Sequence, residues 1–152
     1  MAGRQDFTED EWVALAHAQL AAGYLVAGHA EQSRRDFVQE MYAVFEELRD
    51  RSVTADSELV REVAGAHAGG ETIDEWHAES EEELLSSMSR AIALVAERAP
   101  GDVPAFREHL VSVAERAAKA TRHGGFLGIG GTRVTAEEQE LVDRVRQAVG
   151  AS

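Results

Sequence analysis

Cysteine is absent from this chain of 152 residues. Disulfides, thiolate nucleophiles and cysteine-based zinc sites are therefore excluded. Long apolar runs are also missing, because the most apolar stretch, residues 14–28, is interrupted by His17 and Gln19 and is too short and alanine-rich to span a membrane. The opening stretch MAGRQDFTEDEW becomes acidic where a signal peptide needs an apolar core. We therefore expect a cytoplasmic protein that does not associate with membranes.

Positive charge is scarce, and the formal net charge is −13. Residues 1–106 carry 22 acids against 8 bases, whereas residues 107–152 carry 6 against 7. A surface this acidic repels the phosphates of nucleic acids and of anionic lipids. Neither nucleic acid nor a membrane is an expected partner.

Motifs for catalysis and for nucleotide binding are also missing. The chain has no G-x-S-x-G elbow and no serine beside a histidine in a motif that would impose a catalytic geometry. The segment Gly125–Thr132 has the glycine spacing of a phosphate-binding loop, but Gly131 occupies the position of the lysine that would hold the phosphates. We therefore expect a protein that is not an enzyme.

Signals for helices fill most of the chain. Capping boxes, in which Ser or Thr is followed three residues later by Glu, begin at Thr8, Thr72, Ser80 and Thr135. Apolar residues then recur every three or four positions, for example at Trp12, Ala16, Leu20 and Tyr24, and at Phe37, Met41, Val44, Phe45 and Leu48. The fourth helix starts either at residue 73, with a kink, or at residue 81. These patterns predict one all-α domain over residues 1–152, a bundle of five to seven helices in which residues 1–7 and 150–152 are frayed.

The most unusual segment is GGFLGIGG at residues 124–131, between two predicted helices. It combines five glycines with Phe126, Leu127 and Ile129. These three side chains either pack back onto the bundle as a hydrophobic plug or remain exposed as a contact for a partner, because exposed apolar loops mark interaction sites.

One stretch could bind a metal ion. Residues 71–83, ETIDEWHAESEEE, contain seven acids and no base. Asp74 and Glu81 stand three residues before and four residues after His77, a spacing that places all three on one helix face. The alternative is a solvated helix start, whose acids are favoured by the helix dipole. No cofactor other than a metal ion is expected.

The C-terminal segment RAAKATRHGGFLGIGGTRVTAEEQELVDRVRQAVG and the opening FTEDEWVALAHAQLAAGYLVAGHAE resemble uncharacterised bacterial helical proteins that end in a GGFLG-type loop. The order of helix, short loop, Ser/Thr-x-x-Glu and helix is also similar to tellurite-resistance TerB-like domains, which are all-helical and associated with metal stress. That resemblance places Glu138 and Glu40 at positions equivalent to the family's presumed metal-binding acids. The Asp-Gly turn of the family is absent here, so the resemblance implies the fold and leaves metal binding open.

Together these observations predict a non-enzymatic, cytoplasmic helical module for interaction or stress response. Its expected partner is another protein or a second copy of the chain. The alternative is a metal-binding helical bundle built on carboxylates and histidine, and a third possibility is a carrier for a small apolar ligand between the helices.

Overall fold

The computed structural model describes residues 2–28, 33–67, 79–120 and 134–150. Within these ranges the chain forms six α-helices, two short 3₁₀ turns and no β-strand. The helices are α1 (Glu9–Ala27), α2 (Arg34–Thr54), α3 (Glu58–Gly65), α4 (Glu81–Arg98), α5 (Val103–Ala120) and α6 (Ala136–Val149). The prediction of an all-α bundle of five to seven helices is confirmed.

Short hydroxyl side chains begin five of the six helices. Thr8, Ser33, Ser57, Ser80 and Thr135 each accept a hydrogen bond from the backbone N–H three residues later. At Thr8, Ser80 and Thr135 the glutamate in that position returns a bond to the cap backbone, which completes the capping box. Helix α4 accordingly begins at Glu81, whereas the box at Thr72 lies outside the described residues.

The start of the chain is more ordered than the sequence suggested. We expected residues 1–7 to fray, but Arg4–Asp6 form a 3₁₀ turn and Phe7 is buried against Trp12, with their ring centroids 6.2 Å apart. Phe7 precedes the cap of α1 and Trp12 is its fourth residue, the two positions of a hydrophobic staple. The guanidinium of Arg4 covers the Trp12 ring at 5.7 Å.

Helices α1 and α5 form the centre of the bundle. Helix α1 packs on α4, α5 and α2, and α5 also packs on α2 and α6. Because α1 is surrounded, it buries residues on nearly every face, including Leu15, Ala18 and Ala22, and not only the predicted four-residue stripe. A helix that is buried on nearly every side shows little amphipathic pattern, so the predicted stripe of Trp12, Ala16, Leu20 and Tyr24 includes only part of the buried surface of α1.

A glycine permits the close approach of α1 and α2. A Cβ atom added at Gly23 would lie 2.5 Å from Cγ2 of Val44, closer than any real contact. The two helix backbones can therefore approach at this point only without a side chain on α1.

The ends of α5 and α6 follow local rules. Pro104 lies in the first turn of α5, where its missing N–H costs no hydrogen bond. Gly150, which we expected to be frayed, caps α6 in the left-handed conformation with φ 76°, and Arg107 Nε donates to the Val149 carbonyl at 2.6 Å. Among the described helices, none is both long and apolar enough to cross a membrane.

Candidate functional site

The predicted contact residues of the glycine loop, Phe126, Leu127 and Ile129, lie outside the described residues. The described chain stops at Ala120, the end of α5, and resumes at Val134, just before α6. Whether the three side chains pack inward or face a partner therefore stays a prediction.

The predicted metal site is described only at Glu81. Asp74 and His77 lie outside the described residues. Glu81 is the first residue of α4 and forms an ion pair with Arg144 of α6, which also donates to Glu140 at 2.8 Å. Within the ranges that the structure describes, no group of three or more His, Asp or Glu side chains is placed to hold a metal ion.

Two fully buried carboxylates, Glu40 and Glu138, are the acids that the TerB resemblance selects. Glu40 lies on the inner side of α2. Glu138 belongs to the capping box of α6, where its Oε1 accepts hydrogen bonds from the Thr135 hydroxyl at 2.8 Å and from the Thr135 N–H at 3.3 Å. The capping role accounts for the position of Glu138 at the start of the helix.

A polar pair lies at the centre of the core, between α1 and α5. Gln19 and His109 are both fully buried, and His109 Nε2 is 2.8 Å from Gln19 Oε1. The Gln19 amide nitrogen donates to the Val63 carbonyl at 2.8 Å, near the end of α3. The Gln19 oxygen must therefore accept from the histidine, so the neutral imidazole carries its proton on Nε2.

Burial keeps this histidine uncharged. Desolvation and, to a smaller extent, the positive charge of Arg51 together lower the pKa of His109 to about 3. The Nδ1 atom has no hydrogen-bond partner within the described residues. The pair joins α1, α3 and α5 through these hydrogen bonds. Because neither side chain reaches solvent, the pair is not placed to act on a substrate. The sequence left open whether His109 faced the core, since a helical histidine fits either side.

Two open surface cavities, of about 520 and 480 Å³, adjoin along α5. They share Arg51, Pro104 and Glu108. Two of the arginines that line them already form ion pairs within the protein, Arg51 with Glu47 at 3.1 Å and Arg146 with Glu115. The carboxylates of Asp50, Asp56 and Glu108 also line the groove and form no ion pair within the described residues, but an acidic cluster by itself does not assign a ligand.

The outer face of α2 differs from the groove because it exposes large hydrophobic side chains to solvent. Tyr42 is 64% exposed and Val53 is 76% exposed, and besides them only Val13, at 56%, is a large exposed hydrophobic residue in the described part of the chain. Eleven positions separate Tyr42 from Val53, which is close to three full helical turns, so both lie on one line along α2. Glu46 and Arg49 lie between them on the same line, and both are exposed. We call Tyr42, Glu46, Arg49 and Val53 the α2 seam.

Comparison of the chain with known protein families, with characterised proteins and with solved structures found no match. The resemblance to TerB-like domains therefore stays a prediction from the sequence. The class that the structure defines is an all-α bundle with six helices in its described ranges, and its candidate site is the α2 seam.

Proposed function

We propose that this protein is a non-enzymatic helical module that binds another protein chain through the α2 seam. The observation that carries the proposal is the alignment of Tyr42 and Val53, two strongly exposed apolar side chains, along one line of α2. Single exposed hydrophobic residues are common on soluble proteins and need no explanation. Two on one helix line form a surface that a partner helix can cover.

The chemistry of the seam suits protein recognition. Tyrosine is enriched at interfaces because its ring supplies apolar area and its hydroxyl supplies a polar contact. When a partner covers an exposed side chain the size of valine, the apolar area is removed from water, and this removal favours binding by roughly 25 cal/mol per Å². Glu46 and Arg49, between the two apolar residues, add one charge of each sign.

The opposite face of α2 holds the fold together independently of the seam. Met41, Val44, Phe45 and Leu48 are buried in the core, whereas the four seam residues are exposed. Substitutions in the seam should therefore leave the core intact. Binding and folding can be tested separately.

The proposal is tested by photo-crosslinking in the cells that naturally make the protein. A benzophenone amino acid at position 42 should form covalent adducts with a protein. The same amino acid in place of Ser86, an exposed residue of α4, should form far fewer, because α4 packs on α1 and α6 and presents a different surface. Equal labelling at the two positions, or no adduct at position 42, would refute the proposed binding surface.

A further inference from the structure

We infer that the partner covering the α2 seam is a second copy of this chain, packed antiparallel through the same seam about a two-fold axis. The inference rests on the proposed function, because it names the partner of the same surface. Its basis is the order of residues along the seam. When two copies of the seam run antiparallel, apolar residues face apolar residues and each charged residue faces one of opposite charge.

The symmetry of the seam is visible in its spacing. Tyr42 and Val53 are the outer members, and Glu46 and Arg49 are the inner members. Both pairs are centred on the point midway between Glu47 and Leu48. In two antiparallel helices that cross at this point, Tyr42 of each copy faces Val53 of the other, and Glu46 of each copy faces Arg49 of the other. A two-fold axis makes every such contact occur twice.

A parallel arrangement of the two α2 helices does not bring opposite charges together. In a parallel, in-register pair, Glu46 would face Glu46 and Arg49 would face Arg49 of the second copy. Like charges placed opposite each other are unfavourable, and they select against the wrong arrangement. The pattern therefore favours the antiparallel pair over the parallel one.

The inner charges remain available for this contact. Arg49 forms no ion pair within the described part of the chain, and its side chain is exposed. Glu46 pairs with Arg116 of α5 at 3.3 Å, but the glutamate side chain is still 60% exposed. A second copy can therefore give Arg49 a partner and give Glu46 a second one.

The dimer should be weak and reversible. A seam of three helical turns buries less than the approximately 800 Å² per partner of a standard stable interface. We therefore expect a monomer–dimer equilibrium that is observed at roughly 10 µM to 1 mM protein.

Charge reversal tests the pairing. Sedimentation equilibrium should show that Glu46→Arg and Arg49→Glu each weaken self-association by about tenfold, because each variant places like charges in two symmetric contacts. An equimolar mixture of the two variants should form a heterodimer at least as well as the unmodified chain, since each contact again joins opposite charges. A misfolded variant could not be rescued by mixing, so the mixture also controls for folding. Val13→Asp, which introduces a charge at an exposed position outside the seam, should leave association unchanged.

Thiol cross-linking tests the orientation. Because the chain has no cysteine, any thiol adduct must come from the introduced residues. We expect Tyr42→Cys mixed with Val53→Cys to cross-link with a thiol reagent that spans about 8 Å, the distance between packed helix axes. Tyr42→Cys alone should not, because the two thiols would lie about 16 Å apart along the helix axis.

The outcomes separate this inference from the proposed function. Heterodimer rescue together with the mixed cross-link would support the two-fold pair. A chain that stays monomeric throughout the concentration range, or that cross-links through Tyr42→Cys alone, would overturn it. If the adduct formed in cells at position 42 has the mass of a different protein, the binding surface stands and the second copy is rejected.

Discussion

The buried histidine leads to a specific prediction about acid stability. Burial lowers the pKa of His109 to about 3, whereas the same group has an ordinary pKa of 6.5 when the chain unfolds. As the pH falls below 6.5, the unfolded chain binds a proton that the folded chain does not. The free energy of unfolding must therefore decrease as the pH falls through this range.

The magnitude follows from the two pKa values. One proton bound only by the unfolded state removes at most about 1.4 kcal/mol of stability for each pH unit. Between about pH 7.5 and about pH 4.5, this histidine should remove about 3 kcal/mol. This is a large share of the roughly 5–15 kcal/mol that stabilises a typical domain.

The assay is urea unfolding followed by circular dichroism, on the unmodified protein and on His109→Gln. The glutamine amide can still donate to Gln19 but has no proton to gain. All other ionisable groups are common to the two proteins, so the difference in unfolding free energy isolates His109. We expect that difference to shift by about 3 kcal/mol in favour of the variant as the pH falls from about 7.5 to about 4.5. A difference that stays constant over this range would refute the reasoning.

Three further tests, each based on substitutions, address the packing, the helix caps and the metal prediction. Gly23→Ala should destabilise the protein by about 1–3 kcal/mol in urea unfolding, because its Cβ would overlap Val44. Gly65→Ala is the control, since its nearest contact would be 3.9 Å away, and it should stabilise α3 by about 0.5 kcal/mol; equal effects at the two glycines would contradict the close approach. Ser80→Ala should cost about 1 kcal/mol by the same assay, through loss of the α4 cap, whereas Ser80→Asp should cost much less. If the acidic stretch that includes Glu81 binds a divalent ion, the melting temperature rises with added ion and Glu81→Gln reduces the rise; no rise with any of several ions would reject the site.

Helix starts were predictable because their causes are local. A capping box requires only a hydroxyl and a carboxylate three residues apart, and the boxes at Thr8, Ser80 and Thr135 form as expected. The staple between Phe7 and Trp12 is equally local, and its spacing was present in the sequence as a signal that could have been used.

The candidate site was much less predictable than the fold. The stripe of Phe37, Met41, Val44, Phe45 and Leu48 indicates that Tyr42 lies off the core-facing side of α2, but whether another element covers Tyr42 depends on the packing of helices that are distant in the chain. The loop residues Phe126, Leu127 and Ile129, which the composition favoured, lie outside the described residues. The seam exists because the folded bundle covers the opposite side of α2 and leaves these four residues exposed.

The sequence by itself determined the all-helical class and the starts of α1 and α6, and it limited the start of α4 to residue 73 or 81, because hydrogen bonds over three or four residues control helix starts. It also determined the acidic charge and the absence of thiol chemistry. Only the tertiary structure decided that α1 is buried on nearly every side, that His109 and Gln19 meet in the core, and that Tyr42 and Val53 remain in solvent. These outcomes depend on contacts between residues far apart in the chain, which local periodicity does not encode.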